Sequence, residues 1–234
     1  MKKHPLSRLA AALVALCCLL PCLLVSCSRK TTVLTWRDGA YRSEDGKTAF
    51  LEAPVTYYAL SALTDSSPVT IRRSGVSNVP LYAIEGAPLS RYLADENLML
   101  YYAEGTELPT LADLGATKIV LYQYSDTRVT RQLMATLTNR EQVDDLVRRA
   151  SAGGDHISAD RVTAELYHRM ELLFINEDAP AFGIMLEYRK FSVDVEGQGK
   201  NFLYDRVSKT YIPVGDVLES YFIGDEETGT AADS

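Results

Sequence analysis

All four cysteines of this 234-residue chain, Cys17, Cys18, Cys22 and Cys27, fall at its beginning. Nothing beyond Cys27 can form a disulfide, act as a thiol nucleophile or offer a thiolate to a metal. Stability must therefore come from an ordinary hydrophobic core, for which about 190 residues is ample chain.

The segment that holds the cysteines has its own character. Met1 to Arg8 is basic, with Lys2, Lys3 and Arg8 and no acid, and an apolar run follows from Leu9 to Val25, broken by Pro21. A charged start, an apolar middle and a small-residue end are the marks of an export signal. The run is short of the roughly 20 apolar residues that a spanning helix needs. Its end, Leu24-Val25-Ser26-Cys27, resembles a bacterial lipobox. The resemblance implies cleavage before Cys27, a diacylglyceryl thioether on that residue, and a cell-membrane location on the extracytoplasmic face. Two acyl chains, at ~0.8 kcal/mol per methylene, give an anchor on the order of 20 kcal/mol.

Residues 1–26 are thus read as a signal peptide, 27–32 as a lipidated tether, 33–223 as one domain and 224–234 as a disordered acidic tail. The tether reaches at most about 20 Å, so the domain is held near the bilayer. The leader holds three of the 24 basic residues and none of the 31 acidic ones. From Cys27 onward the balance is 21 against 31, a formal net charge of −10. Such a domain is a poor partner for nucleic acid, whose affinity comes mainly from Lys and Arg on phosphates.

The domain reads as α+β: a mainly antiparallel sheet with one well-defined helix at about 139–152 and a short C-terminal helix. Asp38-Gly39 and Asp45-Gly46 are hairpin turns between extended stretches. Short strands are expected at 55–60, 69–72, 79–85 and 98–103, with 89–95 undecided. Glu104 to Gly115 contains Gly105, Pro109 and Gly115 and is the best internal break, a connection within one domain or a division into two lobes. A strand follows at 118–124. Val129 to Leu137 alternates with period two, placing Arg131, Leu133, Ala135 and Leu137 on one face. Thr138 and Glu141 fit a capping box. Val143, Leu146, Val147 and Ala150 then form one helical stripe, which Gly153-Gly154 ends. Residues 162–175 and 182–191 read as a long hairpin, 200–204 and 210–212 as another. Val214, Val217, Leu218, Tyr221 and Phe222 give the closing helix its apolar side.

Chemistry is thinly signalled. His156, with Asp155 and Asp160, is the candidate metal or acid–base cluster, but it lacks the ligand spacing of zinc or calcium sites and also reads as a polar loop. His168 lies on an apolar strand face, the usual place of a hydrogen-bonded core histidine. There is no Gly-x-Ser-x-Gly turn and no P-loop; Gly197-Gln198-Gly199-Lys200 reads as a turn. All fourteen tyrosines follow the leader, in pairs such as Tyr57-Tyr58 and Tyr101-Tyr102. Tyrosine suits binding surfaces and is equally a good strand residue. Candidate ligand contacts are Trp36, Tyr57, Tyr101 and His156. No catalytic residue, metal ligand or cofactor is assigned.

Leader, strand-rich start, and a strand leading into a Thr-Asn-x-Glu helix followed by long strands together resemble uncharacterised exported lipoproteins of Gram-positive bacteria. The resemblance implies a membrane-anchored, non-catalytic binding module for an envelope protein or glycan. The alternatives are a cell-envelope hydrolase and an accessory subunit of a membrane complex. The anchor has a direct test: radiolabelled palmitate enters the wild-type protein and not Cys27→Ala. Labelling that survives the substitution refutes the lipobox.

Overall fold

Two antiparallel hairpins set up the fold, each by a local rule. In the computed structural model, which describes residues 31–65, 67–73, 77–124, 131–152, 156–179 and 181–221, the first strand β1 (Thr32–Arg37) turns directly into β2 (Ala40–Arg42). Arg37 faces Ala40, so Asp38-Gly39 is a two-residue turn. Both its residues have positive φ, 50° and 80°, the type I′ geometry whose twist matches the strands. The Asp45 turn is four residues long. Its carboxylate accepts from the Ser43 hydroxyl at 2.6 Å and the Lys47 amide at 3.2 Å.

The remaining strands of the first half are β3 (Ala49–Glu52), β4 (Tyr57–Ala59), β5 (Val69–Arg72), β6 (Val79–Leu81), β7 (Tyr92–Ala94) and β8 (Leu100–Ala103). Seven of these eight form one sheet in the order β6-β5-β1-β2-β3-β8-β7. One pairing departs from the expected run of antiparallel neighbours: β1 and β5 are parallel, with Leu34 opposite Ile71. Leu34, Tyr41, Phe50, Ile71, Leu81 and Tyr101 pack into a small core on one face.

The second half contributes β9 (Lys118–Tyr124), β10 (Arg131–Leu137), the helix α1 (Arg140–Ser151), β11 (Ile157–Ser158), β12 (Leu166–Ile175), β13 (Phe182–Phe191), β14 (Asn201–Asp205) and β15 (Thr210–Pro213). Its sheet runs β10-β9-β12-β13-β14-β15-β11. The missing strand of the first half, β4, pairs with β13 through Phe182, Gly183 and Ile184, while β14 takes the other end of β13 from Glu187 to Lys190. The Glu104–Gly115 stretch therefore links halves that already share a sheet, and the chain from Thr32 on clusters as one compact unit. The outcome is a sheet-rich fold with one α-helix among the described residues, nearer to all-β than to an even α+β mixture.

Alternation assigns the two faces of the second sheet. Ile119, Leu121, Leu172, Phe174, Ile184 and Leu186 point inward and meet Val143 and Leu146 of α1, both fully buried. The expected helical stripe is thus in place, but its cap is one residue later than Thr138. The Asn139 side chain accepts from the amides of Glu141 and Gln142 at 3.0 and 3.3 Å, one of the strongest N-cap arrangements. The Gly153-Gly154 stop lies outside the described residues, as do the leader, the lipobox and the acidic tail.

Two β-bulges overturn the simple alternation. In β10 the register slips between Leu133 and Ala135, leaving Met134 as an extra residue. Ala135 and Leu137 oppose Leu121 and Ile119 and face the core, whereas Leu133 opposes Tyr122. Arg131 and Leu133 therefore lie on the outer face, not with Ala135 as unbroken alternation requires. A second slip separates Leu166 from His168, and β12 begins at Leu166 rather than at 162, after a 3-10 turn at Ala159–Arg161 and four residues outside any strand. The short closing helix is present as Gly215–Tyr221 and is of the 3-10 type. Its i,i+3 residues eclipse, so Asp216 and Glu219 both reach Asn201, at 2.9 and 3.3 Å. Asn201 in turn accepts from the buried Tyr188 hydroxyl at 2.7 Å.

Gly183 is the tightest point of the second sheet. A Cβ there meets the Phe174 carbonyl oxygen at 2.7 Å and Leu173 Cδ1 at 2.8 Å. Gly183→Ala is expected to destabilise by about 1–3 kcal/mol through overpacking, read as a lower denaturant midpoint at an unchanged m-value; wild-type stability refutes the contact.

Candidate functional site

The outer face of the second sheet carries charge where a strand interior ordinarily carries none. Glu171 on β12 and Glu187 on β13 are directly opposite each other. They are 0% and 3% exposed. Tyr122 of β9 flanks Glu171, and Tyr204 of β14 flanks Glu187. Burying two carboxylates side by side is costly unless cations neutralise them, and three arginines do so.

Each arginine comes from a different element. Arg131, turned outward by the β10 bulge, brings its Nε to within 2.9 Å of a Glu171 oxygen. Arg189 of β13 donates to Glu187 from Nε at 2.7 Å, donates to the Tyr211 hydroxyl at 2.7 Å, and lies 3.8 Å over the Tyr204 ring. Arg206, in the β14–β15 turn, bridges the pair, donating from Nη2 to Glu171 at 2.9 Å and from Nε to Glu187. Burial alone pushes the Glu187 carboxyl up, but the Arg189 hydrogen bond and the charges of Arg189 and Arg206 outweigh it and hold it below the usual range. Desolvation opposes the charge on Arg206, and the two carboxylates raise its pKa all the same.

A general acid needs a raised carboxyl pKa; Glu187 has the opposite. Both acids are ion-paired to arginine, and what the cluster offers is a rigid, charged wall.

That wall borders a cleft of about 530 Å³. Val120, Leu173, Ile175 and Met185 form an apolar cluster on the outer face and line the cleft floor. Tyr58, Leu60, Tyr122 and Arg131 stand around it, and Lys118 and Glu177 close one end with a 2.7 Å ion pair. The Arg131 guanidinium lies 5.0 Å from the Tyr58 ring centre. Volume and lining are those of a small-ligand site.

The residues singled out by sequence do not converge there. Trp36 is 53% exposed and packs edge-on against Tyr41, ring centres 4.9 Å apart, on the first sheet. Tyr57 is half-buried, its hydroxyl donating to the Pro109 carbonyl at 2.8 Å. Tyr101 is fully buried, which removes it from any exposed aromatic patch. Its hydroxyl accepts from Arg73 at 2.8 Å, and burial pushes that hydroxyl well above the usual phenol range. His156 is exposed and its ring Nε2–H donates to the Ala152 carbonyl at 3.0 Å. Asp155 lies outside the described residues, and the Asp160 carboxylate accepts from the Ser158 hydroxyl. Among the described residues no three His, Cys, Asp or Glu side chains are grouped to hold a metal. The signal that points to the real cluster is a lone acid inside an apolar run: Met170-Glu171-Leu172-Leu173 and Met185-Leu186-Glu187-Tyr188.

Removing one partner from a buried ion pair typically costs about 3–5 kcal/mol. Arg206→Met is expected at the low end, since Arg131 and Arg189 remain. The depressed Glu187 pKa also fixes an acid dependence. Its contribution is complete above the unfolded carboxyl value of about 4.3 and is lost as pH falls through the lower folded value. Denaturant titrations across pH 2–6 check both effects: Glu187→Gln should flatten the acid limb, and an unchanged slope refutes the assignment.

Comparison with protein-family models, with curated proteins and with solved structures finds no match to this chain.

Proposed function

We propose that this protein is a non-catalytic binding module of the bacterial cell envelope, anchored to the membrane through a lipid on Cys27, with the outer-face cleft as its binding site. The observation that carries the reading is the cleft: an apolar floor set against carboxylates whose oxygens are engaged by arginine. A hydrolase of the carboxylate-pair type needs one of the two acids free to give up a proton, and here both are ion-paired to arginine, with Glu187 held below the usual carboxyl range. Binding needs only shape, apolar surface and fixed charge, and the cleft has all three.

The anchor reading rests on the basic and apolar leader ending at Leu24-Val25-Ser26-Cys27. Among the described residues no helix is long and apolar enough to cross a membrane. A protein or glycan of the envelope is the partner that this address makes available.

A photocrosslinking amino acid in place of Leu60, on the cleft rim, tests the site in living cells. It should capture an envelope component. The same group in place of Val193, an exposed residue that does not line the cleft, should not. Equal capture from both positions, or none from position 60, overturns the reading.

A further inference from the structure

We propose that a neutral, β-linked saccharide of the glucose type binds at Trp36, stacking on the indole and hydrogen-bonding to Glu52 and Arg73. This site lies on the first sheet and does not depend on the cleft of the second.

The strand register brings the three side chains together. The first sheet closes on itself: Tyr82, just after β6, exchanges two backbone hydrogen bonds with Ala94 of β7, at 2.7 and 3.0 Å. Leu34, Phe50, Ile71 and Tyr101 fill the inside. Leu34 is opposite Ile71 on the parallel pair β1 and β5. Two residues further along come Trp36 on β1 and Arg73 just past the end of β5. Trp36 is opposite Tyr41, and Tyr41 is opposite Phe50. Two residues beyond Phe50 is Glu52, opposite Tyr101. Trp36, Glu52 and Arg73 thus continue the inner face past its buried layer and rim one mouth of the closed sheet, a favoured place for ligands.

The contacts agree with the register. The Tyr41 ring centre is 4.9 Å from that of Trp36, and the Tyr41 hydroxyl accepts from Arg73 Nε at 3.1 Å. Arg73 Nη2 donates to Glu52 and to the Tyr101 hydroxyl, both at 2.8 Å.

Trp36 shares a face with the fully buried Leu34, yet it is half-exposed. Tyr41 supports it from the side and leaves it uncovered. Glu52 and Arg73 are partly exposed as well. Among the described residues, Glu52 Oε1 and Arg73 Nη1 have no hydrogen-bond partner, so an acceptor and a donor stand ready beside an open indole.

That combination selects the ligand. An indole takes an apolar C–H face, and a carboxylate and a guanidinium take hydroxyls; a pyranose offers both. Glu52 repels an anion, Arg73 repels a cation, and as an ion pair they favour a neutral ligand. In a β-linked sugar of the glucose type the ring substituents are equatorial, which leaves C–H groups on the ring faces. The buried Tyr41 and Tyr101 close the mouth from below. The site is therefore a shallow platform, suited to one unit of an exposed chain.

Trp36 is the only tryptophan, so its fluorescence reads the site directly. The full lipidated protein in phosphatidylcholine vesicles is titrated with cellotetraose and with chitotetraose, its N-acetylglucosamine counterpart. At least one should shift the Trp36 emission to the blue and protect it from acrylamide, both saturably; the stronger identifies the group preferred at the sugar 2-position. Glu52→Gln should weaken binding about tenfold, the scale of one charge-assisted hydrogen bond. Arg42→Gln, which breaks an ion pair on the opposite face of β2, should leave binding unchanged. By calorimetry Trp36→Ala should not bind, and Trp36→Tyr, which keeps an aromatic face, should bind more weakly than wild type. Emission that responds to neither tetrasaccharide, an equal response to tetramethylammonium, or wild-type binding by Glu52→Gln overturns the proposal. The cleft is tested separately by the crosslinker at position 60, so either site can fail while the other stands.

Discussion

Two carboxylates without access to water need compensating charge, and much of the second sheet is arranged around that requirement. Glu171 and Glu187 lie in the middle of its two longest strands. The arginines that neutralise them arrive from an edge strand, from a central strand and from a hairpin turn, so the cluster holds β10, β13 and the β14–β15 turn to one another on the side opposite α1. Its contribution is one of specification more than of net stability, because a buried ion cluster often gains little over a hydrophobic replacement of the same shape. A slipped register in β12 or β13 turns an acid toward the core, where no arginine waits.

The charged rows also divide the outer face. On one side lie Val120, Leu173, Ile175 and Met185; on the other, Ile157, Phe191, Val195, Phe202 and Tyr211. The second group is closed over by its own aromatic rings. The first is only partly covered and makes the cleft. A strand face that alternation alone marks as the solvent side is therefore largely dry, and what protects it is a mixture of ion pairs and tyrosines.

What could be read in advance follows the range of the interactions involved. The Asp38-Gly39 turn, the stripe of α1 and the long 166–191 hairpin depend on residues a few positions apart, and their patterns are visible in the chain. The parallel pairing of β1 with β5 has no local signature, because its partners are more than thirty residues apart. The β10 bulge is hidden for a different reason: Val129 to Leu137 keeps a period of two apart from Arg131 and Met134, and only the partner strand reveals that Met134 is supernumerary. That one residue moves Arg131 to the opposite face and assembles the site. The tyrosine pairs show the same limit. Alternation says that Tyr101 and Tyr102 point apart, but neighbouring strands decide that Tyr101 is inside. The aromatic residues that flank the cleft are Tyr58 and Tyr122, while Tyr57 packs inward as the partner of Ile184 in the β4–β13 ladder.

The edges of the two sheets share a property. In the first sheet the outermost strands, β6 and β7, have three residues each, β6 contains Pro80, which has no amide hydrogen to give, and Tyr82 just after β6 exchanges two backbone hydrogen bonds with Ala94 of β7, so the two borders meet. In the second, β11 has two residues, and β10 is bent by its bulge and begins with Arg131 and Gln132. Short, kinked, proline-bearing or charged borders are poor templates for a foreign strand. The proposed lipid tether would confine copies to two dimensions at high local density, where such borders would keep them from zipping into fibrils.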